Sequence, residues 1–122
     1  MNTNEQDRRR FTRINFDAEC EVHYSGGAIV MQLIDISLRG VLLQFNHPLA
    51  LDIGGEAEIN IYLANDVLIR MKTQLNYAEP PNYGFFVKEI DLDSMSHLRR
   101  LLELNLGDEA LLERELEQMV LD

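Results

Sequence analysis

Between residues 18 and 90 apolar and polar positions alternate along the chain, and Gly, Pro, Asn and Asp interrupt the pattern at short intervals. Segment 56–62 is the clearest: Glu56, Glu58 and Asn60 fall on one side, and Ala57, Ile59 and Ile61 on the other. A period of two is that of a half-buried strand. Segment 67–77 puts Val67, Ile69, Met71, Thr73, Leu75 and Tyr77 on one face. Segments 18–24, 28–36, 41–45 and 84–90 also read as strands, being short and rich in Val, Ile, Leu and aromatic residues. Turn signals stand between them at Ser25-Gly26-Gly27, Ala64-Asn65-Asp66 and Glu79-Pro80-Pro81-Asn82, and a loop is expected over 47–55. The fold class expected is mainly β: six antiparallel strands with short hairpin links, closed into a barrel because closure removes exposed edges.

At Asp91 the period changes. Met95, Leu98, Leu101 and Leu102 recur at helical spacing, with Asp91 or Asp93 as the cap and Gly107 as the stop. Asp108 can cap a second helix with Leu111, Leu112, Leu116, Met119 and Val120 on its apolar side. One domain is expected, in three parts: a flexible basic arm over 1–13, a β-barrel over 14–90 and C-terminal helices over 91–122. Phe11 and Ile14 can tack the arm to the barrel.

The net charge of −10 disfavours binding to extended DNA or RNA, which calls for the opposite sign. Four of the 11 basic residues nevertheless lie within positions 8–13, and such a knot on an acidic body suits a small anion. Nine of the bases are arginine, whose planar fork matches phosphate oxygens and the guanine edge. No apolar run reaches the roughly 18 residues of a membrane span, so no membrane insertion is expected. The polar start lacks the apolar core of a signal peptide, and the single cysteine, Cys20, cannot form an internal disulfide. A cytoplasmic location follows as an expectation. The flanking Glu19 and Glu21 should raise the Cys20 pKa and keep the thiol inert.

Two stretches carry candidate chemistry. Arg8-Arg9-Arg10-Phe11-Thr12-Arg13 gathers guanidinium groups that can converge on an anion, or form a solvated face balanced by Glu5, Asp7 and Asp17. Asp35-Ile36-Ser37-Leu38-Arg39-Gly40 places a carboxylate and a hydroxyl two apart, on the same face of an extended chain. Its glycine lets the backbone turn through positive φ or lets another group approach. The bland reading is a hairpin turn in which Asp35 and Ser37 bond local backbone. Arg39 is expected to point outward from the turn, with an extra phosphate contact as the other option. His23, His47 and His97 lie far apart, which disfavours zinc, and Asp91 and Asp93 lack the rest of a calcium loop. No nucleophile elbow is present, so no enzyme activity, metal or cofactor is expected.

Taken together, Arg9-x-x-x-Arg13 and Asp35-x-Ser37-x-x-Gly40 resemble the two motifs of the PilZ domain family, receptors for cyclic di-GMP. The likeness runs from about Arg8 to about Val120. It implies a ligand site made by Arg8, Arg9, Arg10, Arg13, Asp35, Ser37 and Gly40. Asp35 would accept from the guanine Watson–Crick edge, Ser37 would bond a base edge or phosphate, and Gly40 would let the backbone approach. Tyr77 is the expected stacking aromatic, with core packing as its alternative. Gly84-Phe85-Phe86 resembles a structural feature of the family's last strand. In similar domains an arginine just ahead of the first motif goes with two stacked ligand molecules per chain, and Arg8 stands there. The implied function is a monomeric receptor whose arm orders on binding and which signals to an unidentified effector protein. Without ligand, the arm (charge +2 over 1–13) would sample the second helix (−5 over 108–122), and the ligand would compete for it. The alternative is a nucleotide-independent interaction module of the same fold.

Overall fold

A computed structural model describes residues 11–64 and 66–121, without the side chains of Glu109, Val120 and Leu121. Six strands form a closed antiparallel barrel: β1 (Ile14–Tyr24), β2 (Gly27–Ile36), β3 (Gly40–Gln44), β4 (Glu56–Tyr62), β5 (Leu68–Glu79) and β6 (Asn82–Ile90). Around the barrel the order is β1-β2-β3-β6-β5-β4. Helices α1 (Leu92–Leu106) and α2 (Glu109–Leu121) follow. Four of the links join neighbouring strands, as the turn signals imply. The fifth, over 45–55, does not, because β3 pairs with β6 while β4 pairs with β1. This crossover is anchored where Gly54 N–H donates to the Leu75 carbonyl at 2.7 Å and Leu75 N–H to the Gly55 carbonyl at 2.9 Å.

Alternation delivers the core. Val22, Leu33, Leu43, Ile59, Ile61, Ile69, Leu75 and Phe85 point inward and are essentially inaccessible to water. Burial of apolar surface on this scale is the main stabilising term in a domain of this size. Cys20 lies among these residues, and burial pushes its thiol up to about 12. The direction is the expected one, but burial rather than the flanking glutamates is the cause.

Helix α1 starts where the Asp91 carboxylate accepts from Ser94 N–H at 3.1 Å, and ends at Gly107, whose φ of 68° a side chain would disfavour. Its Leu98 and Leu102 are fully buried, and Ser94 Oγ accepts from Arg70 N–H of β5 at 2.9 Å. Helix α2 starts at Asp108, which accepts from Leu111 N–H at 3.0 Å, and buries Leu112. Arg99 of α1 joins the two helices, meeting Glu103 of its own helix and Glu113 of α2.

Register is interrupted at four points, each by one extra residue, and one of them is Lys88 of β6, between Val87 and Glu89. In β1 the interruption falls between Asn15 and Ala18, in β2 between Leu33 and Asp35, and in β5 between Leu75 and Tyr77. A bulge moves every later side chain to the other face of the strand. The bulges in β2 and β5 decide which of the later side chains in those two strands face outward.

Candidate functional site

The bulge at Asn76 has the largest consequence for the site. Strict alternation puts Tyr77 on the inner face with Leu75. The extra residue turns it outward instead, opposite Gly84 of β6, where it is 43% exposed. The core-packing alternative for Tyr77 is therefore set aside. A methyl group on Gly84 would meet Tyr77 Cβ at 3.0 Å and Cδ2 at 3.5 Å, so the phenol ring leans across the glycine. The Tyr77 hydroxyl donates to the Glu79 carboxylate at 2.9 Å.

The bulge at Ile34 acts in the same way on β2. It sends Asp35 outward, opposite Asn15 on one side and Leu42 on the other. Leu42 in turn pairs with Gly84. Asn15, Asp35, Leu42, Gly84 and Tyr77 thus form one row across five strands, on the outer surface. Asp35 and Tyr77 are three strand spacings apart, roughly 14 Å, with the low floor of Leu42 and Gly84 between them.

Arg13 enters this row from the start of the chain. Its Nη1 donates to Asp35 Oδ1 at 2.7 Å, with side-chain exposures of 39% and 17%. One residue from each sequence motif therefore meets the other across 22 positions. A carboxylate has about four acceptor sites and a guanidinium five donors, so the pair keeps bonding capacity for a third group.

Ser37 and Gly40 sit inside the turn. Ser37 Oγ accepts from the N–H groups of Arg39 and Gly40 at 3.2 Å each, and Ser37 N–H donates to the Gly40 carbonyl at 2.9 Å. Ser37 is only 3% exposed. The expectation that Asp35 and Ser37 project together is corrected: β2 ends at Ile36, and the chain curls so that the hydroxyl faces its own turn. In this arrangement Ser37 shapes the site rather than lining it. Gly40 does not take positive φ. A methyl there would stand 3.0 Å from the Phe85 carbonyl, so the glycine serves the close approach of β3 to β6.

Arg39 differs from its expected outward pose. Its guanidinium lies 5.5 Å from the Phe11 ring centre and 5.6 Å from that of Phe86, a double cation–π contact. Phe11 is 7% exposed within the core cluster, and the Thr12 N–H and hydroxyl bond the Glu115 carboxylate of α2. The flexible arm expected over 1–13 therefore does not include 11–13, which are packed against the barrel and α2. Arg8, Arg9 and Arg10 lie outside the described residues. Glu115 was overlooked in the sequence although a signal existed: it falls on the apolar side of α2, between Leu112 and Met119. The contact itself spans 103 positions and could not be read.

Two cavities, of about 260 and 360 Å³, lie elsewhere, around His23 and Lys72 and around Phe45 and Tyr83. The site is a surface patch. Among the described residues no group of three His, Cys, Asp or Glu side chains could hold a metal, and no helix is long and apolar enough to cross a membrane.

The closed barrel thus brings an arginine from before its first strand to an outward aspartate on its second, in a row that ends at a surface aromatic. The PilZ domain family model matches residues 7–104, and the chain belongs to that family. Solved structures show the same fold. The PilZ domain of YcgR from Escherichia coli, determined with c-di-GMP, aligns with a TM-score of 0.63 at 20% identity, covering 93% of this chain and 97% of that one. The PilZ domain of CeSA from a cellulose-synthesizing bacterium gives 0.60 at 17%, covering 79% and 96%. The inhibitor of motility MotI/DgrA of Bacillus subtilis gives 0.67 at 15% and covers 84% of this chain, which spans 53% of that protein.

Proposed function

We propose that this protein is a receptor for cyclic di-GMP, bound on the outer face of the barrel across the row from Asp35 to Tyr77. The observation that carries the reading is the Arg13–Asp35 pair, which joins the two family motifs in space. Asp35 keeps Arg13 on one side and accepts the N1 and N2 protons of a guanine on the other. Arg13, with Arg8, Arg9 and Arg10, supplies forks for the two phosphates and for guanine O6 and N7. A base stacks on the Tyr77 ring, above the floor of Leu42 and Gly84. Ser37 and Gly40 hold the turn that follows Asp35. The arm ahead of Phe11 closes over the ligand, and Arg8 adds the contact that admits a stacked pair, two molecules per chain. The protein has no catalytic role in this reading. The ordered arm and the surface around it present the signal to an effector protein.

Calorimetric titration of the whole chain with cyclic di-GMP and with cyclic di-AMP tests this. Saturable binding of the guanine ligand alone, near two per chain, is expected. Equal affinity for both dinucleotides would contradict guanine recognition by Asp35. Absence of binding would leave a nucleotide-independent interaction module.

A further inference from the structure

Thr12 stands within the first motif, beside Arg13, yet its partner lies outside the part of the chain that matches the family. The match ends at residue 104, and α2 begins at Glu109. From α2, Glu115 reaches the arm: one carboxylate oxygen accepts Thr12 N–H at 3.0 Å and the other accepts the Thr12 hydroxyl at 2.5 Å. Glu115 is 4% exposed, so both bonds are shielded from water. A shielded carboxylate that loses its donors has no solvent to replace them, so the tie is held strongly in both directions. It fixes the backbone one residue before Arg13. Arg13 has a long side chain of high rotamer entropy, and a fixed backbone lowers the cost of holding its guanidinium at Asp35.

The two contacts occur together. Thr12 bonds Glu115 while Arg13 bonds Asp35, so a docked α2 and a formed ligand site belong to one state. A competition in which ligand draws the arm away from the helix would require one contact to be broken for the other to form. With both contacts present at once, residues 12 and 13 need not leave the helix to form the Asp35 pair, and the geometry fits the reverse sign.

We infer that Glu115 is a positioning residue for the ligand, and that α2 docking and cyclic di-GMP binding favour each other. This rests on the proposed ligand. Coupling through one tie of this kind is reciprocal: the factor by which α2 raises ligand affinity is the factor by which ligand stabilises the docked helix. A protein that takes hold of the face of α2 bearing Leu112 and Glu115 therefore expels ligand, and ligand opposes that capture.

The test uses the whole chain with three variants: Glu115→Leu, which removes both acceptors; Glu115→Gln, which keeps one; and Thr12→Val, which removes the hydroxyl from the other side. Titration with cyclic di-GMP should show about tenfold weaker binding for Glu115→Leu, with Glu115→Gln and Thr12→Val in between. Thr12→Val added to Glu115→Leu should cost less than it does alone. Hydrogen exchange of α2 amides in the wild type should slow on adding cyclic di-GMP, and the slowing should shrink in Thr12→Val. Wild-type affinity in the folded variants, or α2 exchange that stays constant or quickens with ligand, overturns the inference while leaving the receptor intact. A wild type that fails to bind cyclic di-GMP overturns both.

Discussion

Ser37→Ala separates a residue that shapes the site from one that lines it. The hydroxyl oxygen accepts two backbone N–H groups, from Arg39 and Gly40, at 3.2 Å each, in a turn where Ser37 is 3% exposed. Both bonds are longer than the usual 2.9–3.0 Å of a strong N–H···O bond, so each is weak. Their removal leaves donors in a shielded turn that alanine cannot satisfy. A cost of about 1–2 kcal/mol is expected, below the upper range for a buried orphan donor because the bonds are long and Arg39 is half-buried. For a domain of this length, that lowers Tm by roughly 4–8 °C. The effect on cyclic di-GMP should be smaller. Asp35 is aimed by the bulge at Ile34 and by pairing to Leu42 and Asn15, none of which passes through the hydroxyl. Affinity, titrated well below the lowered Tm, should fall by less than about tenfold. Thermal unfolding by circular dichroism and calorimetric titration on the same preparation decide the matter. An unchanged Tm with a loss of affinity beyond tenfold would refute the reasoning, and would mean that Ser37 leaves its turn to touch the ligand.

Arg13→Ala should show the opposite pattern. Affinity should drop about ten- to a hundredfold. Tm should hardly move, because the exposed pair with Asp35 is worth under about 1 kcal/mol; equal affinity in titration would misplace the site. Gly84→Ala puts a methyl 3.0 Å from Tyr77 Cβ, which no side-chain rotation relieves. The ring must shift and titration should show weaker binding, while unaltered affinity would count against a base stacked there. Asp91 is held below its ordinary 3.8 mainly by hydrogen bonding to Ser94. A depressed carboxyl contributes stability above its unfolded-state value and loses it as pH falls through the lower folded-state value. Asp91→Ala should therefore melt lower than wild type near pH 7, and the gap in melts recorded from neutral to acid pH should close below about pH 4.

Alternation and turn residues determined much of this protein without a structure. The six strands follow from a period of two, because a strand's two faces meet core and water. Asp91, Gly107 and Asp108 mark the helix ends because caps are local, and the two motifs are readable because their residues lie within a few positions of each other. The outward faces were decided only by pairing. A bulge is one unpaired residue relative to a neighbouring strand, and the neighbour of β5 at Tyr77 is identified only once β6 is laid beside it. Without that bulge Tyr77 belongs to the core; with it, Tyr77 leans over Gly84 at the surface. The crossover over 45–55 was equally hidden, since it follows from β1 meeting β4 and β3 meeting β6. The Arg39 clamp on Phe11 and Phe86, and the Thr12–Glu115 tie, join residues that no local pattern relates. A glutamate on the apolar side of a helix announces that something polar must meet it, because a buried carboxylate needs donors. Which donors meet it was settled by the closed barrel, which brings the start of the chain beside its end.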